Sequence, residues 1–170
     1  MGQVDTLVVD KTGTLTEGKP RLVSVEATAG FDKDDLLQLA SSLERASEHP
    51  LAEAIVRGAE GRGMTLQQTD DFTSLTGKGV TGTINGRRVA LGNIKLLEEL
   101  GIDSSDLAQR AEAGRAQGQT VMLVAIDGSA AGLLGVADPI KESTPEAIRD
   151  LHAEGVTVVM LTGDSRTTAR

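Results

Sequence analysis

The two ends of the chain carry the same pattern, and this pattern constrains the fold more than any other feature. Residues 4–9 and 156–161 are short apolar runs rich in β-branched side chains, and each is followed at once by a polar loop that contains glycine. Such runs are typical of buried strands in a parallel sheet. We therefore expect the first and last strands to pair in a parallel α/β domain.

A helix is predicted immediately before the second of these strands. Ser143 is suited to be its N-cap, with Glu146 three residues later as the partner in a capping box and Pro145 in the first turn. Gly155 is placed to end the helix. Residues 140–161 are therefore expected to form a helix–strand unit.

The middle of the chain combines hairpins with amphipathic helices. Asn85-Gly86 separates two apolar runs, which is typical of a hairpin with a type I′ turn. Asp127-Gly128 separates two further runs that are expected to form another hairpin. The other predicted elements are a strand at 21–28, a helix capped by Asp32, a helix that starts at Pro50 and is broken by Gly58, Gly61 and Gly63, and short helices at 94–100 and 105–117.

This mixture indicates an antiparallel α+β domain over residues 17–134. The domain is inserted between two pieces of a parallel α/β domain, residues 1–16 and 135–170. The predicted fold class is thus α/β, with one domain of a different type inserted into another.

Composition excludes several classes of function. The chain has 17 Lys and Arg against 25 Asp and Glu, a net charge of −8, which argues against a nucleic-acid surface. It has no cysteine, so disulfides, thiolate zinc sites and cysteine nucleophiles are excluded. His49 and His152 are far apart in sequence, which disfavours a soft-metal site. No apolar run approaches the roughly 20 residues of a membrane-spanning helix, and no signal peptide is visible, so we expect a soluble, cytoplasm-facing chain.

Asp10 is the residue with the clearest chemical potential. It follows the first predicted strand, at the edge where open α/β sheets place their sites, and a carboxylate there can attack phosphorus and form an aspartyl phosphate. Gly13 lets the backbone approach a phosphate closely. Thr12 stands where a second carboxylate would speed hydrolysis of that intermediate, so a long-lived phosphoenzyme is favoured over a fast phosphatase. The alternative is an ordinary strand and turn with a solvated aspartate.

Residues 10–16, which read DKTGTLT, resemble the phosphorylation motif of the P-type ATPases. That family has a phosphorylation domain of the haloacid dehalogenase-like fold, and Thr162-Gly163-Asp164 resembles its second conserved element. The resemblance implies that the catalytic group is Asp10, Lys11, Thr12, Thr162 and Gly163. It also implies that Mg²⁺ is held by the Asp10 carboxylate and the Thr12 carbonyl.

Residues 47–51, Ser-Glu-His-Pro-Leu, resemble the nucleotide-binding signature of the heavy-metal-transporting branch of that family. This resemblance implies that ATP is bound by Glu44, His49, Gly77, Gly79, Val80, Gly92 and Asn93. Plainer interpretations remain open: His49 and Asn93 as helix caps, Glu44 on a solvated helix face, and the Gly77–Gly79 segment as a simple turn. No Walker A loop occurs, so we expect ATP to bind with modest affinity in a different kind of pocket.

The resemblance also bears on domain movement and completeness. Residues 17–20 and Asp138-Pro139 resemble the two crossings between the domains, and we interpret them as hinges for domain closure. The family's later phosphate-contacting lysine and Gly-Asp-Gly-x-Asn-Asp segment do not occur in the chain. We therefore expect a monomeric fragment that binds ATP but turns it over slowly or not at all, since Mg²⁺ bridging supplies much of phosphoryl-transfer catalysis.

The main hypothesis is the ATP-binding portion of a heavy-metal pump, with residues 119–164 most similar to copper(I) pumps. Its partners would be ATP or ADP and the rest of the same pump, namely the membrane helices, the actuator domain and the remainder of the phosphorylation domain. One alternative is a stand-alone haloacid dehalogenase-like phosphatase with the middle region as a cap. Another is a nucleotide-binding or regulatory module without enzymatic activity.

Overall fold

The computed structural model describes residues 5–161, which form two separate β-sheets and five helices. The strands are β1 (Thr6–Asp10), β2 (Arg21–Ala27), β3 (Asp70–Leu75), β4 (Gly79–Ile84), β5 (Arg87–Gly92), β6 (Thr120–Ile126), β7 (Ser129–Ala137) and β8 (Thr157–Leu161). The helices are α1 (Lys33–Glu44), α2 (Pro50–Glu60), α3 (Ile94–Glu99), α4 (Ser105–Ala116) and α5 (Thr144–Ala153).

The smaller sheet joins the two ends of the described chain. Strands β1 and β8 pair in parallel with Thr6 opposite Thr157 and Asp10 opposite Leu161, so the predicted pairing is confirmed. The expectation that these strands are buried is wrong, since Val8 is 55% exposed and Leu161 59% exposed. The reason is that this two-stranded sheet packs mainly against α5, which covers little of it.

The helix before β8 forms as predicted, but its start differs in detail. Pro145 lies in the first turn and Gly155 follows the helix with φ of +80°, as expected. Ser143 occupies the N-cap position, yet its side chain makes no capping hydrogen bond, so the predicted capping box is wrong. Its backbone is already helical, whereas a capping serine needs an extended backbone to aim its hydroxyl at the next turn.

The larger sheet has six antiparallel strands in the order β2-β7-β6-β5-β4-β3, and its pairs β4–β5 and β6–β7 are the two predicted hairpins. Helices α1 and α2 cover one face and α3 and α4 cover the other, so the sheet separates two apolar clusters. Asn85 and Gly86 both have positive φ, which confirms the predicted type I′ turn, and Asp127 and Gly128 have the same backbone conformation.

Two features of this domain were not predicted. Strand β3 is at the edge of the sheet and carries mostly polar residues, so it has no apolar alternation for a sequence pattern to detect. Gly58 does not break α2, which continues to Glu60. A Cβ on Gly58 would lie 2.7 Å from the Leu22 side chain, so this glycine lets α2 pack closely on β2.

The two connections between the sheets run side by side. Thr16 and Ile140 form an antiparallel bridge, with Glu17 N donating to Pro139 O at 2.8 Å and Lys141 N donating to Leu15 O at 3.0 Å. The Asp138 carboxylate accepts from Thr16 Oγ1 at 2.5 Å and from Lys19 N at 3.0 Å. The two hinges predicted from the sequence are therefore bonded to each other.

Removing the Asp138 carboxylate is expected to loosen this crossing. Because the side chain accepts two hydrogen bonds, we expect Asp138→Ala to lower the free energy of unfolding by about 1–3 kcal/mol. Amide hydrogen exchange should quicken at Lys19 and around Thr16 but not in the six-stranded sheet. Asp138→Asn keeps one acceptor oxygen, so its free energy of unfolding should fall by less than that of Asp138→Ala. Unchanged exchange at Lys19 in the alanine variant would contradict this role.

Candidate functional site

A pocket of about 340 Å³ lies where α1, the start of α2 and the β3–β4 turn meet. Its lining includes every residue for which the sequence predicted nucleotide binding: Glu44, His49, Gly77, Gly79, Val80, Gly92 and Asn93. These residues come from four separate stretches of the sequence, so their convergence is a property of the fold. None of residues 10–16 lines this pocket.

Glu44 is the last residue of α1 and is buried, with 5% of its surface exposed. Its Oε2 atom has no hydrogen-bond partner, and among residues 5–161 it is the only buried side-chain oxygen or nitrogen without one. Burial raises the pKa of the Glu44 carboxyl, and a hydrogen bond with the Ser47 side chain opposes this to a smaller extent. The alternative interpretation of Glu44 as part of a solvated helix face is therefore wrong.

His49 lies directly before α2, and its side chain is exposed. It is the N-cap of α2, with Nδ1 accepting from Leu51 N at 3.2 Å and Pro50 at the first helical position. An accepting Nδ1 carries no proton, so the hydrogen of the neutral ring is on Nε2. His49 thus caps the helix and lines the pocket at the same time, because the cap fixes its backbone and leaves Nε2 available.

The glycines of the pocket serve two different purposes. Gly79 and Gly92 are opposite each other on β4 and β5, and a Cβ on Gly79 would lie 2.2 Å from Leu91 O. Backbone therefore fills the space that a side chain needs at both positions. Gly77 has φ of +71° and no atom within 4 Å of the place where a Cβ would be. It is needed for its backbone conformation, and it leaves the pocket open on that side.

Asn93 fastens the glycine segment to α3. Its Oδ1 accepts from Leu96 N at 3.3 Å, which confirms the predicted cap, and its Nδ2 donates to Gly77 O at 2.7 Å. The backbone N–H of Asn93 also donates to Lys78 O at 2.8 Å. One side chain therefore holds both the start of α3 and the open edge of the pocket.

Lys78 also lines the pocket, and the sequence analysis gave it no role. Its ammonium pairs with Glu99 at the end of α3. The sequence feature that could have pointed to Lys78 is its position as the single cation between two glycines. Its partner Glu99 is 21 residues later, so no local spacing predicts the pair.

The loop after β1 has a defined shape. Asp10 ends β1 with its side chain exposed, and its Oδ1 accepts from Thr12 N at 3.3 Å. The loop Lys11–Leu15 makes one wide turn closed by Thr16 N donating to Lys11 O at 3.1 Å, with Gly13 at φ of +77°. Lys141 Nζ donates to Gly13 O at 2.7 Å and ties the loop to the second crossing. Thr162, Gly163 and Asp164 lie outside the described residues.

The donors near Asp10 suit a hard cation. The Asp10 carboxylate and the Thr12 carbonyl are both oxygen ligands, and Mg²⁺ is usually bound by one or two carboxylates together with phosphate oxygens and water. Within residues 5–161, no three acidic, histidine or cysteine side chains are grouped closely enough to bind a metal by themselves. These two oxygen donors would therefore suit part of a magnesium site, which a phosphate ligand would extend.

Comparison with known proteins gives a consistent result. A family model for haloacid dehalogenase-like hydrolases matches residues 4–170. A copper-transporting P-type ATPase of Rhizobium leguminosarum bv. viciae is 55% identical over 166 residues, which cover 98% of this chain and 20% of that protein. A copper-exporting P-type ATPase of Legionella pneumophila is 50% identical over 169 residues, covering 99% of this chain and 23% of that protein.

The fold is also similar to a solved pump. The crystal structure of a zinc-transporting PIB-type ATPase in the E2.Pi state matches with a TM-score of 0.81 and 33% identity, covering 99% of this chain and 27% of that chain. The chain spans about a fifth of the length of the curated relatives that it matches. In residues 5–161, no helix has both the length and the apolar character needed to cross a bilayer.

Proposed function

Because the chain belongs to the haloacid dehalogenase-like hydrolases and is homologous along nearly its whole length to copper-transporting P-type ATPases, we propose that it is the ATP-binding and phosphorylation portion of a heavy-metal pump. The observation that carries this proposal is the single pocket lined by Glu44, His49, the three glycines and Asn93. Few folds would bring these separate motifs together without a shared ligand.

In this proposal the pocket holds the adenine and ribose of ATP. Glu44 and His49 lie beside the base, and the open side at Gly77 leaves room for the sugar and the α-phosphate. The absence of tryptophan and tyrosine means that apolar side chains such as Leu51 and Met122, and not an aromatic stack, contact the ring faces. Modest affinity follows, because the only cation of the β3–β4 turn is already paired with Glu99.

The reaction we propose takes place at Asp10 in the whole pump. A carboxylate oxygen of Asp10 attacks the γ-phosphorus, the new O–P bond forms, and the bond to the β,γ-bridging oxygen breaks so that ADP leaves. Asp10 is exposed at the end of β1, which allows an in-line approach. Thr162 and Gly163 would stabilise the transferring group, with Lys11 and Thr12 completing the catalytic set. Mg²⁺, when bound at Asp10 and Thr12, supplies charge neutralisation at the phosphates.

Transport itself is proposed for the intact protein. Phosphorylation of Asp10 would drive ion movement across a membrane, with this portion on the cytoplasmic side and the membrane helices and actuator domain as partners. Copper is the ion named in the two relatives described above, and we propose copper(I) for this pump on that basis. The choice of ion lies with parts of the pump other than these residues.

The domain division that we propose keeps residues 17–134 as the nucleotide-binding domain and residues 1–16 and 135–170 as pieces of the phosphorylation domain. Strand β7 continues to Ala137, which moves the structural end of the inserted sheet three residues past 134. Since the pocket and Asp10 belong to different sheets, transfer of phosphate requires the domains to close on each other.

Nucleotide titration tests the proposal directly. We expect the chain to bind ATP and ADP by calorimetry or NMR, with little need for Mg²⁺, because none of the proposed magnesium ligands lines the pocket. We expect no stable phosphoenzyme and slow or absent ATP hydrolysis, because the later lysine and acidic segment of the family do not occur in the chain.

Two outcomes would contradict these expectations. A folded sample that binds no nucleotide would remove the basis of the proposed function. Robust phosphorylation of Asp10 by radiolabelled ATP would overturn the expected lack of turnover. Hydrolysis of small phosphate esters would instead favour the stand-alone phosphatase, so a set of such esters belongs in the same assay.

A further inference from the structure

Among the side chains of residues 5–161, the Glu44 carboxyl has the one buried polar atom without a hydrogen-bond partner. The residue is only 5% exposed, and its Oε2 atom is buried without a hydrogen-bond partner. The pocket around it is lined by apolar side chains such as Leu51, Val80 and Leu91. A buried and unpartnered carboxylate oxygen is costly, so this atom is either satisfied by a ligand or carries a proton.

The protonation state decides what the carboxyl can recognise. An ionised carboxylate has acceptor sites alone, whereas a neutral carboxylic acid has one O–H donor and an acceptor oxygen. The edge of adenine presents an exocyclic amino donor next to a ring-nitrogen acceptor. A neutral acid can therefore make two hydrogen bonds with adenine, in the way that a glutamine amide does. A carboxylate can make one, and its second oxygen would face the lone pair of the ring nitrogen.

The charged groups around Glu44 do not favour its ionised form. The groups that border its two cavities are Arg45, Glu48, His49, Glu53 and Lys78. Two of them, Glu48 and Glu53, are acidic, and the ammonium of Lys78 is paired with Glu99. His49 uses Nδ1 as an acceptor for its helix. Arg45 remains as a cation, but it is exposed and therefore screened by solvent. On β5, Arg87 pairs with Asp35 near the other end of α1.

We propose that Glu44 binds the base of an adenine nucleotide as a neutral carboxylic acid, donating its proton to a ring nitrogen and accepting from the amino group. The inference rests on the proposed function, since it needs an adenine nucleotide in the pocket. Two consequences follow. Binding takes up a proton wherever free Glu44 is ionised, and affinity falls as pH rises, by up to about tenfold per pH unit.

The variant Glu44→Gln tests this, because glutamine has the shape and the donor–acceptor pair of the neutral acid but cannot ionise. The experiment is a calorimetric titration with ADP at pH 5.5 to 8.5, for the unaltered chain and for the variant, in two buffers with different ionisation enthalpies. Protonation of the phosphates and of all other side chains is common to both proteins, so their difference reports Glu44. We expect the unaltered chain to lose affinity with pH relative to Glu44→Gln and to take up a proton that the variant does not.

A second measurement does not depend on nucleotide. Because burial raises the pKa of Glu44 in the folded chain above its value in the unfolded chain, stability is lost as pH rises through the folded pKa. Glu44→Gln should therefore have a higher melting temperature than the unaltered chain at pH 8 and no advantage at pH 4. A Glu44 carbon chemical shift that titrates at the ordinary value in the ADP-bound chain would overturn the proposal.

The possible failures are distinguishable. If the unaltered chain binds ADP but Glu44→Gln binds it more than tenfold more weakly at every pH, the ionised carboxylate is required and the inference is wrong. If the unaltered chain binds no ADP, both the inference and the proposed function fail. Glu44→Ala serves as the reference for complete loss of the contact. We expect it to bind ADP weakly, and we expect the difference in affinity between Glu44→Ala and Glu44→Gln not to change with pH.

Discussion

Replacing Gly92 by alanine is expected to lower the free energy of unfolding by about 3 kcal/mol, near the upper end of what overpacking usually costs. A Cβ at this position would lie 2.2 Å from Lys78 O, 2.7 Å from Leu96 Cδ2 and 2.9 Å from Gly79 Cα. Two of these atoms are backbone, so the strain can be relieved only by moving β4 away from β5. Chemical denaturation should report the loss, and the melting temperature should fall by roughly 10 °C.

Gly77→Ala is the matched control, because it changes a glycine of the same pocket where a Cβ meets open space. It should cost about 1 kcal/mol for the left-handed backbone alone. The contrast separates a glycine required by packing from one required by conformation. Equal losses for Gly77→Ala and Gly92→Ala would mean that the strands adjust easily and that the close approach of Gly79 and Gly92 does not matter.

Replacing His49 by alanine is expected to weaken nucleotide binding by at least about tenfold, which corresponds to 1.4 kcal/mol. The same change removes the cap of α2, since His49 Nδ1 accepts from Leu51 N, and should cost about 1 kcal/mol of stability. The two effects are measured separately, by titration with ADP and by thermal unfolding. The two effects arise from different atoms of His49, because nucleotide binding depends on Nε2 and the ring whereas capping of α2 depends on Nδ1.

His49→Asn keeps a good helix cap and removes the imidazole. We expect it to unfold like the unaltered chain and still to bind ADP as weakly as the alanine variant. If the asparagine variant instead binds ADP normally, His49 acts only as a cap and the nucleotide does not contact its ring.

Much of the fold is readable from local sequence patterns. The hairpins at Asn85-Gly86 and Asp127-Gly128 are predicted because a type I′ turn demands positive φ at both residues, which few dipeptides provide. Strand β3 is not readable, since a polar edge strand is defined by its partner β4 and carries no burial pattern of its own. Gly58 is misread because its role depends on Leu22, which is distant in sequence.

Only part of the candidate site can likewise be predicted from the sequence. The residues of its motifs are recognised through their resemblance to those of a known family, and the fold places them around one pocket. What the sequence does not convey is their physical state. The burial of Glu44, the ion pair of Lys78 with Glu99 and the bonds of Asp138 with Thr16 all join residues brought together by tertiary packing.

The side-by-side crossing at Thr16 and Ile140 has a kinetic consequence. Two connections that are bonded to each other tether the large sheet to the β1–β8 sheet. In the proposed pump, a nucleotide already in the pocket would meet Asp10 in an intramolecular encounter, with an effective concentration of the order of millimolar set by the tether. The rate of phosphoryl transfer in the whole pump would depend on how often the tether bends far enough, and no longer on the concentration of free ATP once the pocket is filled.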